Sequence, residues 1–124
     1  MGGMLLVADA GNTHIVFGVY HDRELEHRFR VASDHHKTSD EYGVILTQLF
    51  RDRGVDESSI DAAIIASVVP PLTSTIAEVC RSCVGTEPLI VGPGIKTGMP
   101  ILYENPRDVG ADRIVNGVAY IVSF

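Results

Sequence analysis

The chain has no tryptophan, only two cysteines, and an aromatic content of 6% across 124 residues. Two cysteines cannot staple a disulfide scaffold, so the fold must rest on a packed core, and a reducing, cytoplasmic setting fits best. No apolar run reaches the roughly 18 residues of a bilayer-spanning helix, so no membrane span is expected. No basic stretch leads into a long apolar segment at the N-terminus, so no secretory signal is read, and Met4 after Met1-Gly2-Gly3 is a possible alternative start. Basic tracts are missing too. Ten Lys and Arg against 16 Asp and Glu leave a net charge of −6, which argues against nucleic acid as a partner. An anionic ligand would have to be held by local donors and cations, against the overall field. Repeats, low-complexity tracts and linkers are also lacking, and the length is that of one domain. A hydrophobic content of 45% with 21% charged residues is that of an ordinary soluble protein.

What the chain does have is a regular alternation of strand and helix signals. Leu5 to Ala8 is a short Leu/Val-rich run that reads as a buried strand. His14 to Tyr20 reads as its hairpin partner, and Leu25 to Val31 alternates as a half-exposed third strand. Thr38-Ser39-Asp40-Glu41 has the form of a capping box opening a helix, with Tyr42, Ile45, Leu46, Leu49 and Phe50 on one face and Gly54 at its end. Asp61 to Val69 holds a buried parallel strand. Pro70-Pro71 stops it and opens a second helix, whose Leu72, Ile76, Val79, Cys80 and Cys83 share a face. Pro88 to Val91 is a further strand, Gly92 to Pro100 a Gly/Pro-rich loop, and Asn105-Pro106 opens a last helix running to Phe124. That order predicts an α/β fold: a mixed sheet with three antiparallel strands first, covered by helices.

Chemistry concentrates in two places. In Asp9-Ala10-Gly11-Asn12-Thr13 the carboxylate sits where the first strand ends, and a turn follows at once. Gly11 lets backbone N–H groups come close to a bulky anion, and Asn12 and Thr13 add side-chain donors. Acid, glycine and hydroxyl together suit a magnesium–phosphate group. The same residues also suit a plain hairpin turn, since Gly-Asn is a common turn pair.

The second place is Tyr103-Glu104-Asn105-Pro106-Arg107-Asp108-Val109-Gly110-Ala111-Asp112-Arg113. Asn105 can cap the helix begun at Pro106, and Gly110 opens space before an acid–cation pair. Asp112 is placed to accept a proton from a substrate hydroxyl, and Arg113 to hold an anionic or carbonyl group. The alternative is a set of solvated first-turn charges favoured by the helix dipole.

The element order resembles the ribonuclease-H-like half-domain of sugar kinases, actin and heat-shock ATPases. The two motifs together resemble type III pantothenate kinase, over Met4 to Phe124. The resemblance implies ATP-dependent phosphorylation of pantothenate to 4'-phosphopantothenate at the start of coenzyme A synthesis. It implies ATP-phosphate contacts from Asp9, Ala10, Gly11, Asn12, Thr13, His14, Ile15 and Val16. It implies pantothenate contacts from Tyr103, Gly110, Ala111, Asp112 and Arg113, with Asp112 the proton acceptor. Asp9 is expected to position Mg2+, directly or through water. Ala66-Ser67-Val68-Val69-Pro70 resembles a structural segment of the family. A homodimer and a monovalent cation, K+ or NH4+, are also implied, the cation site belonging to a second half-domain.

Family chains are about twice this length, so residues 1–124 are expected to form the N-terminal ATPase-like half-domain, inactive by itself. The last helix has more apolar residues than one face can hold, and self-association through it is expected. The rival expectation is a nucleotide-binding regulatory or accessory module without transferase activity. Cys80-Arg81-Ser82-Cys83 has redox or zinc half-site spacing but lies on an apolar helix face, so packing is expected. His35, His36, Lys37 and Lys96 read as surface residues, and His14 is a candidate nucleotide contact.

Overall fold

The run Leu5-Leu6-Val7-Ala8 has no polar side chain on either face, and the structure uses it where both faces and both edges are covered. In the computed structural model, which describes residues 3–22 and 24–91, it is the middle of the central strand β1 (Met4–Ala10). Antiparallel β2 (His14–His21) pairs with one edge and parallel β4 (Ile60–Ser67) with the other. The outer strands are β3 (Glu24–Ala32), antiparallel to β2, and β5 (Pro88–Val91), parallel to β4. The described strands thus form one mixed sheet in the order β3-β2-β1-β4-β5, with the first three strands antiparallel as expected.

Side chains alternate across this sheet and fill two cores. On one face Leu6, Ala8, Ile15, Phe17, Val19, Phe29, Ala63 and Ile65 meet two helices, α1 (Ser39–Arg53) and α2 (Pro70–Val79). On the other, Leu5, Val7, Tyr20, Ala62, Ile64, Leu89 and Val91 form a second cluster. Each fully buried Leu or Ile contributes about 1.5–3 kcal/mol, so burial of β1 on both faces stabilises the sheet strongly.

The helix signals are realised as read. Thr38 accepts from the Glu41 N–H at 3.2 Å while the Glu41 carboxylate accepts from the Thr38 N–H at 2.9 Å, a complete capping box. Tyr42, Leu46 and Phe50 are buried at four-residue spacing, with Ile45 and Leu49 half-buried beside them. Gly54 ends α1 at φ 72°, a left-handed conformation that glycine adopts without strain. Pro70 and Pro71 occupy the first turn of α2, where their missing N–H groups leave no orphan donors.

Two readings are corrected. The second helix does not continue to Cys83 as one α-helix, although Leu72, Ile76, Val79, Cys80 and Cys83 do pack on one core as read. It stops at Val79, and a π-helical turn (Cys80–Val84) follows, closed by Gly85 and Thr86 N–H bonds to the Cys80 carbonyl at 2.8 and 3.0 Å. The wider turn rotates the following side chains, so Val84 is buried and Cys83 only half so. Strand β3 is also less regular than its alternation implies. Its pairing with β2 shifts between Val19 and Tyr20, and Leu25 is 42% exposed. Only Phe29 of β3 is buried, with Val31 packed at the core's margin, while Glu24, Glu26, Arg28 and Arg30 are exposed along the sheet's edge strand. The loop from Gly92, the helix from Pro106 and the expected apolar patch on it lie outside the described residues.

Helix α1 approaches the π-helical turn through Gly43, which is buried; a Cβ there would overlap the sulfur of Cys83. Helix propensity alone favours alanine over glycine by about 1 kcal/mol. Overpacking of a tight contact costs about 1–3 kcal/mol and should outweigh it. Gly43→Ala is therefore expected to lower stability, and the same substitution in a Cys83→Ala background to be neutral or stabilising. Urea unfolding of the four proteins measures this; an equal loss in both backgrounds would mean that the sulfur does not limit the approach.

Candidate phosphate-binding site

Strand β1 ends at Ala10 and β2 starts at His14, so Gly11, Asn12 and Thr13 make the connection at one end of the sheet. Asp9 lies between Val16 of β2 and Ala66 of β4, half-buried, on the face that carries Leu5 and Val7. Ala10 and Ile15 are buried toward the opposite core, which leaves their main chain for any ligand contact. Val16 is half-buried against the second cluster. Asn12, Thr13 and His14 are exposed. The eight expected phosphate residues are thus contiguous in space, but only some can present side chains.

The turn is held by main-chain and side-chain bonds. The Gly11 N–H donates to the His14 carbonyl at 2.9 Å, closing the hairpin. The Val68 N–H donates to the Ala10 carbonyl at 3.4 Å, tying the exit of β4 to the end of β1. Ser67 hydrogen-bonds both main-chain groups of Val69, at 2.9 and 3.0 Å, and this shapes the Ala66–Pro70 segment as a structural link into α2.

Among the described residues nothing requires glycine at Gly11. Its φ is not positive, and a Cβ built on it would stand 3.4 Å from the His14 carbonyl oxygen, an ordinary contact. The glycine therefore leaves space on the outer side of the turn. Around it, Asn12 and Thr13 present exposed amide and hydroxyl groups, and Asp9 carries a carboxylate near the end of β1.

A residue that the sequence reading missed supports the turn. The Ser33 hydroxyl donates to the Gly11 carbonyl at 2.7 Å, and the Ser33 N–H donates to the Thr13 carbonyl at 2.9 Å. Ser33 lies in the connection between β3 and α1, which is itself anchored by Tyr42. The Tyr42 hydroxyl accepts from the Asp34 N–H at 2.8 Å and lies 3.2 Å from the Ala32 carbonyl and 3.3 Å from that of Asp34, either of which can take its single proton. The His36 N–H on the Asp34 carboxylate, with the Lys37 ammonium beside it, holds that carboxyl below its usual range. Lys37 thus serves the loop, with a 3.5 Å ion pair to Asp34.

The other singled-out residues fall as follows. His35 and His36 are exposed turn residues. Cys80 and Cys83 are free thiols; burial pushes Cys80 up to about 12, far from a reactive thiolate, and packing is its role. Among the described residues no cluster of three or more His, Cys, Asp or Glu could hold a metal ion. Among the same residues no helix is long and apolar enough to cross a membrane. Tyr103, Gly110, Ala111, Asp112, Arg113 and Lys96 lie outside the described residues.

Comparison with known proteins places these observations in a family. A hexokinase of the ROK group from Thermus thermophilus superposes with a TM-score of 0.58 at 14% identity, over 89% of this chain and 39% of that one. RuvC from T. thermophilus, in complex with a Holliday junction, gives a TM-score of 0.52 at 14% identity, over 77% of this chain and 68% of that one. A kinase and a junction-binding protein share the layout, so at these identities the likeness shows the fold alone, the ribonuclease-H-like half-domain. Sequence goes further. The type III pantothenate kinase of Moorella thermoacetica is 56% identical over 116 residues, covering 94% of this chain and 46% of that one. The chain spans about half the length of the curated relatives it matches. A sequence profile of that family matches residues 5–124, and the chain belongs to the type III pantothenate kinase family.

Proposed function

We propose that this chain forms the phosphate-binding half of an enzyme that transfers a phosphoryl group from ATP to pantothenate, giving 4'-phosphopantothenate for coenzyme A synthesis. The observation that carries the reading is the turn at the end of β1: half-buried Asp9, then a glycine at which the described residues would admit a Cβ, then exposed donors on Asn12 and Thr13. Family membership supplies the substrates that such a site would serve.

Phosphoryl transfer passes through a loose transition state, so alignment and charge neutralisation matter more than early deprotonation of the alcohol. The main-chain N–H groups of Asn12, Thr13 and His14 and the Thr13 hydroxyl would receive phosphate oxygens, and neutral donors do this without adding to the anionic field of a chain at −6. Asp9 would hold Mg2+ of the nucleotide, which when bound offsets phosphate charge. Asp112 would orient the pantothenate hydroxyl and take its proton late, Arg113 would fix an anionic or carbonyl group, and Tyr103, Gly110 and Ala111 would line the pocket. A monovalent cation, a homodimer and a cytoplasmic location complete the proposal.

Asp112→Asn in the intact protein preserves size and polarity but removes the proton acceptor. We expect kcat to fall about 10²-fold or more with ATP binding nearly unchanged, while Asp9→Asn changes the magnesium dependence of the rate. Steady-state kinetics over a magnesium series checks both, and near-normal turnover by Asp112→Asn would remove its assigned role.

Gly11→Ala separates ligand space from fold. With a compatible φ, the substitution should leave stability unchanged or raise it by about 0.4–1 kcal/mol, because the unfolded chain loses freedom. The added methyl should weaken ATP binding at least tenfold. A variant with normal ATP affinity, or one that fails to fold, would show that the glycine is not there for a phosphate.

A further inference from the structure

We propose that Ser33 is a positioning residue for the phosphate turn, aiming its main-chain donors at the nucleotide from the far end of the first β-meander. The inference rests on the phosphate-binding reading above and adds to it a residue outside the Asp9–Val16 motif.

Ser33 holds two carbonyls of the turn at once. Its hydroxyl takes the Gly11 carbonyl at 2.7 Å and its N–H takes the Thr13 carbonyl at 2.9 Å. Peptide units are planar, and none in the described chain is cis, so each N–H points opposite to the carbonyl of its own unit. The Gly11 carbonyl shares its plane with the Asn12 N–H, and the Thr13 carbonyl shares its plane with the His14 N–H. Pinning both carbonyls to Ser33 therefore turns the Asn12 and His14 N–H groups away from it, on residues that are exposed. Two N–H groups fixed in this way can meet an anion without reorganising as charge develops on it.

The clamp has its own support. Strand β3 delivers Ser33 directly after Ala32, which pairs with His14. On the other side Tyr42, 2% exposed and rooted in α1, bonds the Asp34 N–H at 2.8 Å and reaches the Ala32 carbonyl at 3.2 Å. Ser33 is thus bracketed by two residues held to one buried side chain. The turn inherits the rigidity of α1 through Ser33, although 22 residues separate Ser33 from Gly11. A loop serine whose only task was to satisfy its own backbone would not reach across to this turn.

The test uses Ser33→Ala, Ser33→Thr and Tyr42→Phe in the intact protein. Three readouts are taken: KM for ATP and for pantothenate, amide hydrogen exchange at residues 11–14, and the thermal midpoint. Loss of one hydrogen bond should raise the ATP KM about three- to tenfold in Ser33→Ala. The pantothenate KM should stay within twofold, and exchange should quicken at Asn12, whose peptide plane the hydroxyl pins, more than at His14, whose plane the retained Ser33 N–H still holds. Ser33→Thr keeps the hydroxyl and should restore both values. Tyr42→Phe keeps the ring but frees the segment, and should move the ATP KM and the exchange rates the same way by a smaller factor; it carries the test if Ser33→Ala does not fold. A purely structural serine would shift the thermal midpoint and both KM values together, which overturns the proposal. So does a Ser33→Ala protein with unchanged ATP KM and unchanged exchange in the turn. Wild-type protein that turns over no ATP would instead defeat the functional reading on which the proposal rests, an outcome distinct from active wild type with an indifferent variant.

Discussion

Everything in the described structure hangs on the pairing of β1 along both edges and its burial on both faces. A strand so placed has no freedom of register, because a one-residue slip would swap Leu6 and Ala8 with Leu5 and Val7 between two filled cores. The position of Asp9 follows from that constraint. It is the last side chain of the strand on its face, held between β2 and β4, and the chain turns two residues later. The carboxylate and turn of the proposed phosphate site are thus attached to a strand paired along both edges.

At the end of that strand the described residues Asn12 and Thr13 carry neutral donors. With a net charge of −6 and a half-buried acid in the proposed site, attraction at long range would not bring a polyanion in. Short-range, directional contacts must do so, and their value depends on how rigidly the donors are held. This is why the support of the turn matters as much as its composition. The Ser33 clamp and the Tyr42 anchor behind it link the turn to α1, so the helix contributes to the site without touching it.

Local signals carried most of the architecture. The capping box at Thr38 and Glu41, the left-handed Gly54, the Pro70-Pro71 start and the apolar runs of β1 and β4 each specify their element from within a few residues, and each was legible. What escaped was non-local or geometrically subtle. The π-helical turn at Cys80–Val84 depends on one carbonyl accepting from residues five and six positions on, which no residue pattern announces. The exposure of Leu25 follows from a shift in strand pairing, not from the composition of β3. Of the candidate site, the turn between β1 and β2 was readable because Gly11 and Asn12 directly follow an apolar strand that ends beside Asp9. Ser33 was not, because a serine in a polar loop looks the same whether it faces water or a carbonyl 22 residues away.

The central claim is that the turn ending β1 receives the phosphates of ATP. Amide chemical shifts of the intact, isotope-labelled protein, titrated in parallel with magnesium-ATP and with adenosine, test it most directly. The account predicts that the Asn12, Thr13 and His14 amides shift saturably with magnesium-ATP and stay in place with adenosine, which has the base and sugar but no phosphate. Saturable nucleotide binding that leaves those three amides unmoved, or moves them equally with adenosine, would contradict it.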